Sequence, residues 1–349
     1  MSSVRPHVDF AMLDVMDVEA GGDVGRVVLG GLADLPGHTV ADKARILRDR
    51  ADGLRQILIE EPLGDPSVCI NLIVPPAAQD GTAGLIVMGT MGYPDFSGSN
   101  AMCAVAALIE EKRIEMPEGG GGILLETPGG LAWMRVERGA SLAIEYEALP
   151  AFVVSTGEVV EVPGYGAVHF DLVYGGVLYA VIAADEVGVD PARTPPAELA
   201  RFFTTFLPRA TDQVAHPLHH VTRPRLSLGL LAGPIEHDND GSRAHVAVYM
   251  HPGVICHGPT GTGTSALIAR MHSRGETAPD TRLRTVSPSG NSFSGTLIGS
   301  TRVGSRPAVR TRVLGMPQVI GRRRLRVERS QIERSGIVHL FDGAFGAIQ

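Results

Sequence analysis

Ser97-Gly98-Ser99-Asn100-Ala101 runs directly into Met102-Cys103-Ala104-Val105-Ala106-Ala107-Leu108-Ile109, and Thr260-Gly261-Thr262-Gly263-Thr264 into Ser265-Ala266-Leu267-Ile268-Ala269-Arg270-Met271. In both, a hydroxyl residue, a glycine and a second hydroxyl residue open a helix of small and apolar side chains. The first amides of such a helix have no intrahelical acceptor, and the positive end of the helix dipole lies behind them, so each head is an anion site. Gly98, Gly261 and Gly263 remove side chains where a ligand would approach the backbone, while the hydroxyls of Ser97, Ser99, Thr260 and Thr262 can cap the helix or bond a ligand. Two such heads in one chain predict a duplicated fold whose halves hold one small carboxylate. A phosphate loop has a similar composition, but no lysine follows these glycines; the nearest cation after Thr264 is Arg270.

The surrounding sequence repeats the order strands, helix, strands, head, head helix, strands. In the first half, strands are expected at Val8 to Val18, Val24 to Leu29, Cys69 to Val74 and Gly84 to Met88. A single amphipathic helix, capped by Thr39, is expected through Ala44, Leu47, Ala51, Leu54 and Leu58. After the head come strands at Ile123 to Glu126, Ala132 to Val136 and Ser141 to Tyr146, with Val153 to Val162 closing the half. The second series starts at His169 to Tyr174 and Leu178 to Ile182. It continues through a helix over Pro195 to Leu207 and strands at Arg225 to Leu231 and Ala244 to Met250, up to the second head.

Composition narrows the function classes. The 349 residues leave room for two domains, and 43 glycines with 24 prolines favour a strand-rich α+β or α/β protein. A net charge of -7, with no basic stripe before Arg322-Arg323-Arg324, argues against nucleic acid as a partner. No apolar run approaches the roughly 20 residues of a membrane span. Met1 to His7 lacks the apolar core of a signal peptide. Three cysteines (Cys69, Cys103 and Cys256) are too few and too odd for a disulfide framework, so a cytoplasmic protein is expected. Cys69 and Cys103 read as inert core. The histidines of His216-Pro217-Leu218-His219-His220 read as loop residues, so no metal is expected, and His237 to Gly241 reads as a polar hairpin turn.

Three longer stretches resemble the proline racemase family, whose members include hydroxyproline 2-epimerases and trans-3-hydroxy-L-proline dehydratases. They are Met91 to Asn100, Asp171-Leu172-Val173-Tyr174-Gly175-Gly176-Val177-Leu178-Tyr179-Ala180, and Gly258-Pro259-Thr260-Gly261-Thr262-Gly263-Thr264-Ser265-Ala266. The resemblance implies an α+β fold shared with diaminopimelate epimerases: two pseudo-symmetric barrel-like α/β halves, each around a central helix, with the active site in the cleft between them. The halves would be residues 1–160 with 318–349, and residues 161–317. It also implies chemistry without a cofactor, a proline-like amino acid as substrate, and a homodimer.

The resemblance places Ser97 and Thr260 where racemases of the family carry cysteines, on either side of the substrate's α-carbon. Gly98, Ser99, Asn100, Gly261 and Thr262 would hold the substrate, with Cys256 and His257 beside the second head. Ser99 replaces a histidine often found there, Cys256 replaces an aspartate, and Val18-Glu19-Ala20-Gly21-Gly22-Asp23 stands for a His-Thr-Gly-Gly-Glu-like stretch. A hydroxyl ionises far less readily than a thiol, which disfavours two-base racemisation. Threonine at the second position resembles the dehydratases, so dehydration of trans-3-hydroxy-L-proline is the first expectation. A 4-hydroxyproline 2-epimerase is the alternative, and a carboxylate-binding relative without catalysis the second alternative. Cys256 or His257 could supply a replacement base, and Asp95 could shape the turn before Ser97.

Overall fold

The computed structural model describes residues 9–117, 119–214, 226, 228–238, 241–251 and 253–341. Its elements run β1 (Phe10–Ala20), β2 (Asp23–Gly30), α1 (Val40–Arg50), α2 (Gly53–Ile59), β3 (Cys69–Val74), β4 (Ala83–Met88), α3 (Gly98–Glu110), β5 (Gly122–Thr127), β6 (Gly130–Arg138) and β7 (Leu142–Glu147). There follow β8 (Phe152–Val162), β9 (Gly166–Tyr174), β10 (Leu178–Ala183), α4 (Pro196–Gln213), β11 (Leu228–Ala232), β12 (Glu236–Asp238), β13 (Gly241–Met250) and β14 (Val254–Ile255). The last are α5 (Gly261–Ser273), β15 (Arg282–Val286), β16 (Ser292–Val303), β17 (Arg306–Gly315), β18 (Gln318–Glu328) and α6 (Arg329–Arg334). The described residues form two compact units, one within residues 1–20, 24–142 and 317–349 and the other within residues 21–23 and 143–316.

In the first unit β1 pairs with β2 and, antiparallel, with β18. Beyond β2 the partners are parallel β3, antiparallel β4, parallel β5 and antiparallel β6. Each parallel step needs a crossover. Helices α1 and α2 make the first, and α3 makes the second. Every residue of α3 from Asn100 to Ile109 is buried, as expected for a helix apolar on all sides that the sheet surrounds. The opposite sheet face carries Leu13, Val15, Ile70 and Leu72 against Leu47, Leu54 and Leu58 of the crossover helices. With both faces covered, all six residues of β4 are buried.

The second unit repeats this plan. Strand β9 pairs antiparallel with β10, β10 parallel with β11, β11 antiparallel with β13, β13 parallel with β15, and β15 antiparallel with β16. Helix α4 makes the first parallel crossover and α5 the second. Helix α5 packs on the inner core with Val181, Leu230, Val246 and Val248, while Phe202, Phe203 and Phe206 of α4 pack on the outer face. The matching order of hairpin, outer-helix crossover, antiparallel step, central-helix crossover and antiparallel step is the duplication anticipated from the two heads.

Three elements depart from the sequence reading. The helix expected through Leu58 is two helices, because Ala51 leaves helical geometry at φ -143. Gly53, where a Cβ would lie 2.5 Å from the Ser335 carbonyl oxygen, lets that backbone come close. Helix α4 passes Pro208 to reach Gln213; burial of Leu207 and Ala210 on the same apolar face outweighs the lost hydrogen bond. Strand β8, expected to close the first half, pairs antiparallel with β9 in the second unit, and Ala151 bridges Val309. The units therefore divide at 142/143 rather than 160/161. The histidines of the 216–220 stretch, and residues 239 and 240 of the expected hairpin turn, lie outside the described residues.

Candidate active site

Ser97 is the extended N-cap of α3, at φ -144 and ψ 117, yet its hydroxyl makes no capping bond. Instead Asn100 Nδ2 donates to Ser97 Oγ at 2.9 Å. The first-turn amides of Gly98, Ser99 and Asn100 thus keep the anion-binding geometry expected of a helix start, uncapped by their own serine. Asn71 stands behind this head. Its side chain is fully buried, and among the described residues neither Nδ2 nor Oδ1 has a hydrogen-bond partner. A Cβ on Gly25 would meet Asn71 Nδ2 at 2.4 Å and Asn100 Oδ1 at 3.0 Å, so Gly25 is the residue that leaves room for both amides.

The loop leading to Ser97 is anchored from α2. Arg55 holds Asp52 with two bonds of 2.7 Å and donates to the Gly89 carbonyl at 3.0 Å. Burial, reinforced by the Asp52 charge, pushes the Tyr93 hydroxyl well above the ordinary tyrosine range. The Asp95 carbonyl accepts from the Gly129 amide at 2.9 Å, while its side chain is exposed. Cys103 is buried, and its thiol donates to the Val18 carbonyl at 3.3 Å. Cys69, expected in the core, is half-buried because it opens β3.

The second head is built differently. Thr260 has φ 56 and ψ 140, a conformation essentially reserved for glycine. Four bonds fix it there. Its carbonyl accepts from the Thr264 amide at 3.0 Å and the Thr264 hydroxyl at 2.9 Å. Its Oγ1 accepts from the Gly263 amide at 2.9 Å and lies 2.9 Å from the Tyr179 hydroxyl. The same Tyr179 hydroxyl is 2.7 Å from Thr262 Oγ1. Gly261 and Thr262 supply the remaining first-turn amides. The Gly263 amide donates to Thr260 Oγ1, and the Tyr179 hydroxyl is placed to donate to it as well; donors so placed favour a charged oxygen over a neutral one.

Glycines bring the neighbouring segments onto this head. A Cβ on Gly175 would lie 2.2 Å from the Thr262 carbonyl oxygen, so the Gly175-Gly176 turn packs directly on the first turn of α5. A Cβ on Gly258 would lie 2.1 Å from the Gly21 carbonyl oxygen, and the Gly258 amide donates to Asp23 Oδ1 at 3.2 Å. Asp23 belongs to the stretch matched above to a glutamate-bearing family sequence. Cys256 is half-buried just past β14. His257 has an exposed side chain, and its carbonyl accepts from Ser287 Oγ at 2.5 Å. Burial pushes the Tyr179 hydroxyl far above its ordinary range; bonds to Thr260 and Thr262 pull it back less than burial raises it, and the Cys256 and Asp23 charges raise it further. Tyr179 therefore stays protonated at working pH. At the far end of α5, buried Asp171 accepts from Arg270 Nε at 2.6 Å, Arg274 Nη2 at 2.7 Å and the Gly157 amide at 3.0 Å, tying that helix to β9.

Each unit brings its own predicted residues together: Ser97 to Asn100 on one helix turn, and Thr260 to Thr262 with Cys256 nearby on the other. Sequence reasoning assigned no role to Tyr179 or Asn71. Tyr179 has a visible signal, a polar aromatic inside the aliphatic run Leu178 to Ile182; Asn71 is likewise a lone amide in the run Cys69 to Val74. Among the described residues, no group of three His, Cys, Asp or Glu side chains is placed to hold a metal. No described helix is long and apolar enough to cross a membrane.

A family model described as proline racemase matches residues 15–337. A protein from Chromohalobacter salexigens is 38% identical over 317 residues, covering 89% of this chain and 87% of that one. A 4-hydroxyproline 2-epimerase from Streptosporangium roseum is 31% identical over 319 residues, covering 88% of this chain and 92% of its own. The crystal structure of a hydroxyproline epimerase from Agrobacterium vitis, with bound trans-4-hydroxy-L-proline, aligns with a TM-score of 0.80 at 27% identity, over 96% of this chain and 98% of that one. With two head motifs, a duplicated topology and a match over most of its length, this chain belongs to the proline racemase family.

Proposed function

We propose that this protein is a cofactor-independent isomerase that inverts the α-carbon of a small cyclic amino acid of the 4-hydroxyproline type. The observation that carries the reading is that each helix head presents a hydroxyl oxygen close to a hydrogen-bond donor from its own helix: Asn100 at Ser97 and Gly263 at Thr260. The relatives named as 4-hydroxyproline 2-epimerases, and the hydroxyproline bound to the Agrobacterium vitis enzyme, support this substrate class. They favour epimerisation over the dehydration that Thr260 alone suggested.

In this reading the amides of Gly98, Ser99, Gly261 and Thr262 hold the carboxylate. Ser97 and Thr260 address opposite faces of the α-carbon. The α-proton passes to whichever oxygen is ionised, and its electron pair stays on the α-carbon. The opposite hydroxyl returns a proton to the other face and becomes the ionised oxygen. Charge is conserved, and the enzyme alternates between two forms. The donors at each head lower the cost of that ionised oxygen.

Incubation with a panel of proline and hydroxyproline isomers tests this. Chiral chromatography is expected to show interconversion of 2-epimers of 4-hydroxyproline. Formation of a pyrroline carboxylate from trans-3-hydroxy-L-proline, trapped with o-aminobenzaldehyde, would instead support dehydration, the reading suggested by threonine at the second head. Tight binding of an isomer by calorimetry, without turnover of any, would support a carboxylate-binding protein.

A further inference from the structure

We propose that Tyr179 is the positioning residue of the second head, orienting the Thr260 hydroxyl and donating to its oxygen whenever that oxygen is ionised. The inference rests on the isomerase reading above and concerns one of its two oxygens. Tyr179 is fully buried on β10, and its hydroxyl touches two others, Thr260 Oγ1 at 2.9 Å and Thr262 Oγ1 at 2.7 Å.

A tyrosine hydroxyl has one proton, so it donates to one threonine and accepts from the other. If Tyr179 donates to Thr262, Thr260 donates to Tyr179. With the Gly263 amide on one lone pair, Thr260 then offers a substrate its other lone pair. If Tyr179 donates to Thr260, Thr262 donates to Tyr179, and Thr260 accepts twice while aiming its own proton outward. Exchange between the two arrangements needs rotation of three O–H bonds and no movement of heavy atoms.

An isomerase head must act as acceptor for one epimer and as donor for the other, and this chain of hydroxyls serves both. When Thr260 has given up its proton, the second arrangement is the one in which every donor points toward the charge. Thr262, donating to Tyr179, strengthens the Tyr179 bond by polarising it. The strained Thr260 backbone, fixed by Thr264, holds Oγ1 within reach of both the Gly263 amide and Tyr179.

Y179F removes the hydroxyl and keeps the ring. Loss of one hydrogen bond to a charged oxygen is expected to lower kcat for α-proton exchange by about 10- to 100-fold with little change in KM. It should also move the alkaline limb of the pH–rate profile, which a purely structural contribution would leave in place. T262V should lower kcat less, and adding it to Y179F should have no further effect, because the chain is already broken. T262S should restore the wild-type rate.

A second measurement does not depend on turnover. Pyrrole-2-carboxylate, whose flat ring imitates a planar α-carbon, is expected by calorimetry to bind Y179F at least 5-fold more weakly than wild type. Wild-type exchange with Y179F unchanged in kcat and pH profile overturns this inference and leaves the isomerase reading standing. Unchanged affinity of Y179F for the planar carboxylate overturns it as well. A wild-type protein that neither exchanges the α-proton nor binds the planar carboxylate overturns the reading beneath it, and the role of Tyr179 with it.

Discussion

Replacing Thr260 by alanine and by glycine separates the cost of its backbone from the use of its hydroxyl. At φ 56 and ψ 140 a side chain with a Cβ costs about 1–3 kcal/mol relative to glycine. Both variants lose Oγ1, and with it the bonds to the Gly263 amide and Tyr179, so those losses cancel in the comparison. Glycine gains extra freedom in the unfolded chain worth about 0.4–1 kcal/mol against it. T260G is therefore expected to be more stable than T260A by about 0.5–2 kcal/mol, the reverse of the order at an ordinary position. The assay is equilibrium urea unfolding followed by far-UV circular dichroism. Fluorescence would be misleading, because the single tryptophan, Trp133, lies on β6 of the other unit. Both variants should lack α-proton exchange. If T260A proves as stable as T260G, Thr260 is not held in a costly conformation, and the argument that its backbone is strained for function fails.

Other consequences follow from the buried charges and the first head. At Asp171 burial opposes ionisation, but bonds from Arg270 and the Gly157 amide and the charges of Arg270 and Arg274 outweigh it and hold the carboxyl below its ordinary value. A depressed carboxyl contributes stability that is complete above its unfolded pKa of about 3.9 and is lost as pH falls through the folded value. D171N should therefore destabilise the second unit by about 3 kcal/mol at pH 7, the low end for a broken buried pair because Arg274 is half-exposed. Below pH 4 the gap to wild type should begin to narrow, and it should close only once pH has fallen through the depressed folded value, as urea titrations at pH 7 and at successively lower pH would show. N100A removes the donor at Ser97 and should lower kcat for exchange about 10-fold or more, while calorimetric affinity for the substrate changes little. Weaker binding with kcat intact would reassign Asn100 to substrate recognition.

What could be read from sequence was local. The two heads were legible because Ser-Gly-Ser and Thr-Gly-Thr before small apolar helices have a short-range meaning, and most strands showed as apolar runs between glycine-rich turns. The break at Ala51 to Gly53 was hidden because the apolar spacing continues through it, and the close approach of the distant Ser335 backbone at Gly53 has no local signal. Strand β8 looks the same whichever unit it joins; only its pairing with β9 decides. Tyr179 reaches Thr260 across 81 residues, a contact that no periodicity encodes. The bond from the Asn100 amide to Ser97 Oγ is set by a rotamer rather than by residue type, so the sequence does not show it. The hydroxyls of Ser97 and Thr260 in place of thiols put dehydration first; the relatives named as 4-hydroxyproline 2-epimerases favour the alternative.

The most direct test follows the α-proton itself. Wild-type protein, S97A and T260V are each incubated with trans-4-hydroxy-L-proline and with cis-4-hydroxy-D-proline in D2O, and the α-proton signal is followed by NMR. If Ser97 and Thr260 carry the two faces of the reaction, wild type replaces the α-proton by deuterium as the epimers interconvert, and neither variant interconverts them. Interconversion at the wild-type rate in both variants would contradict the account, because the proton would then be moved by groups other than the two hydroxyls.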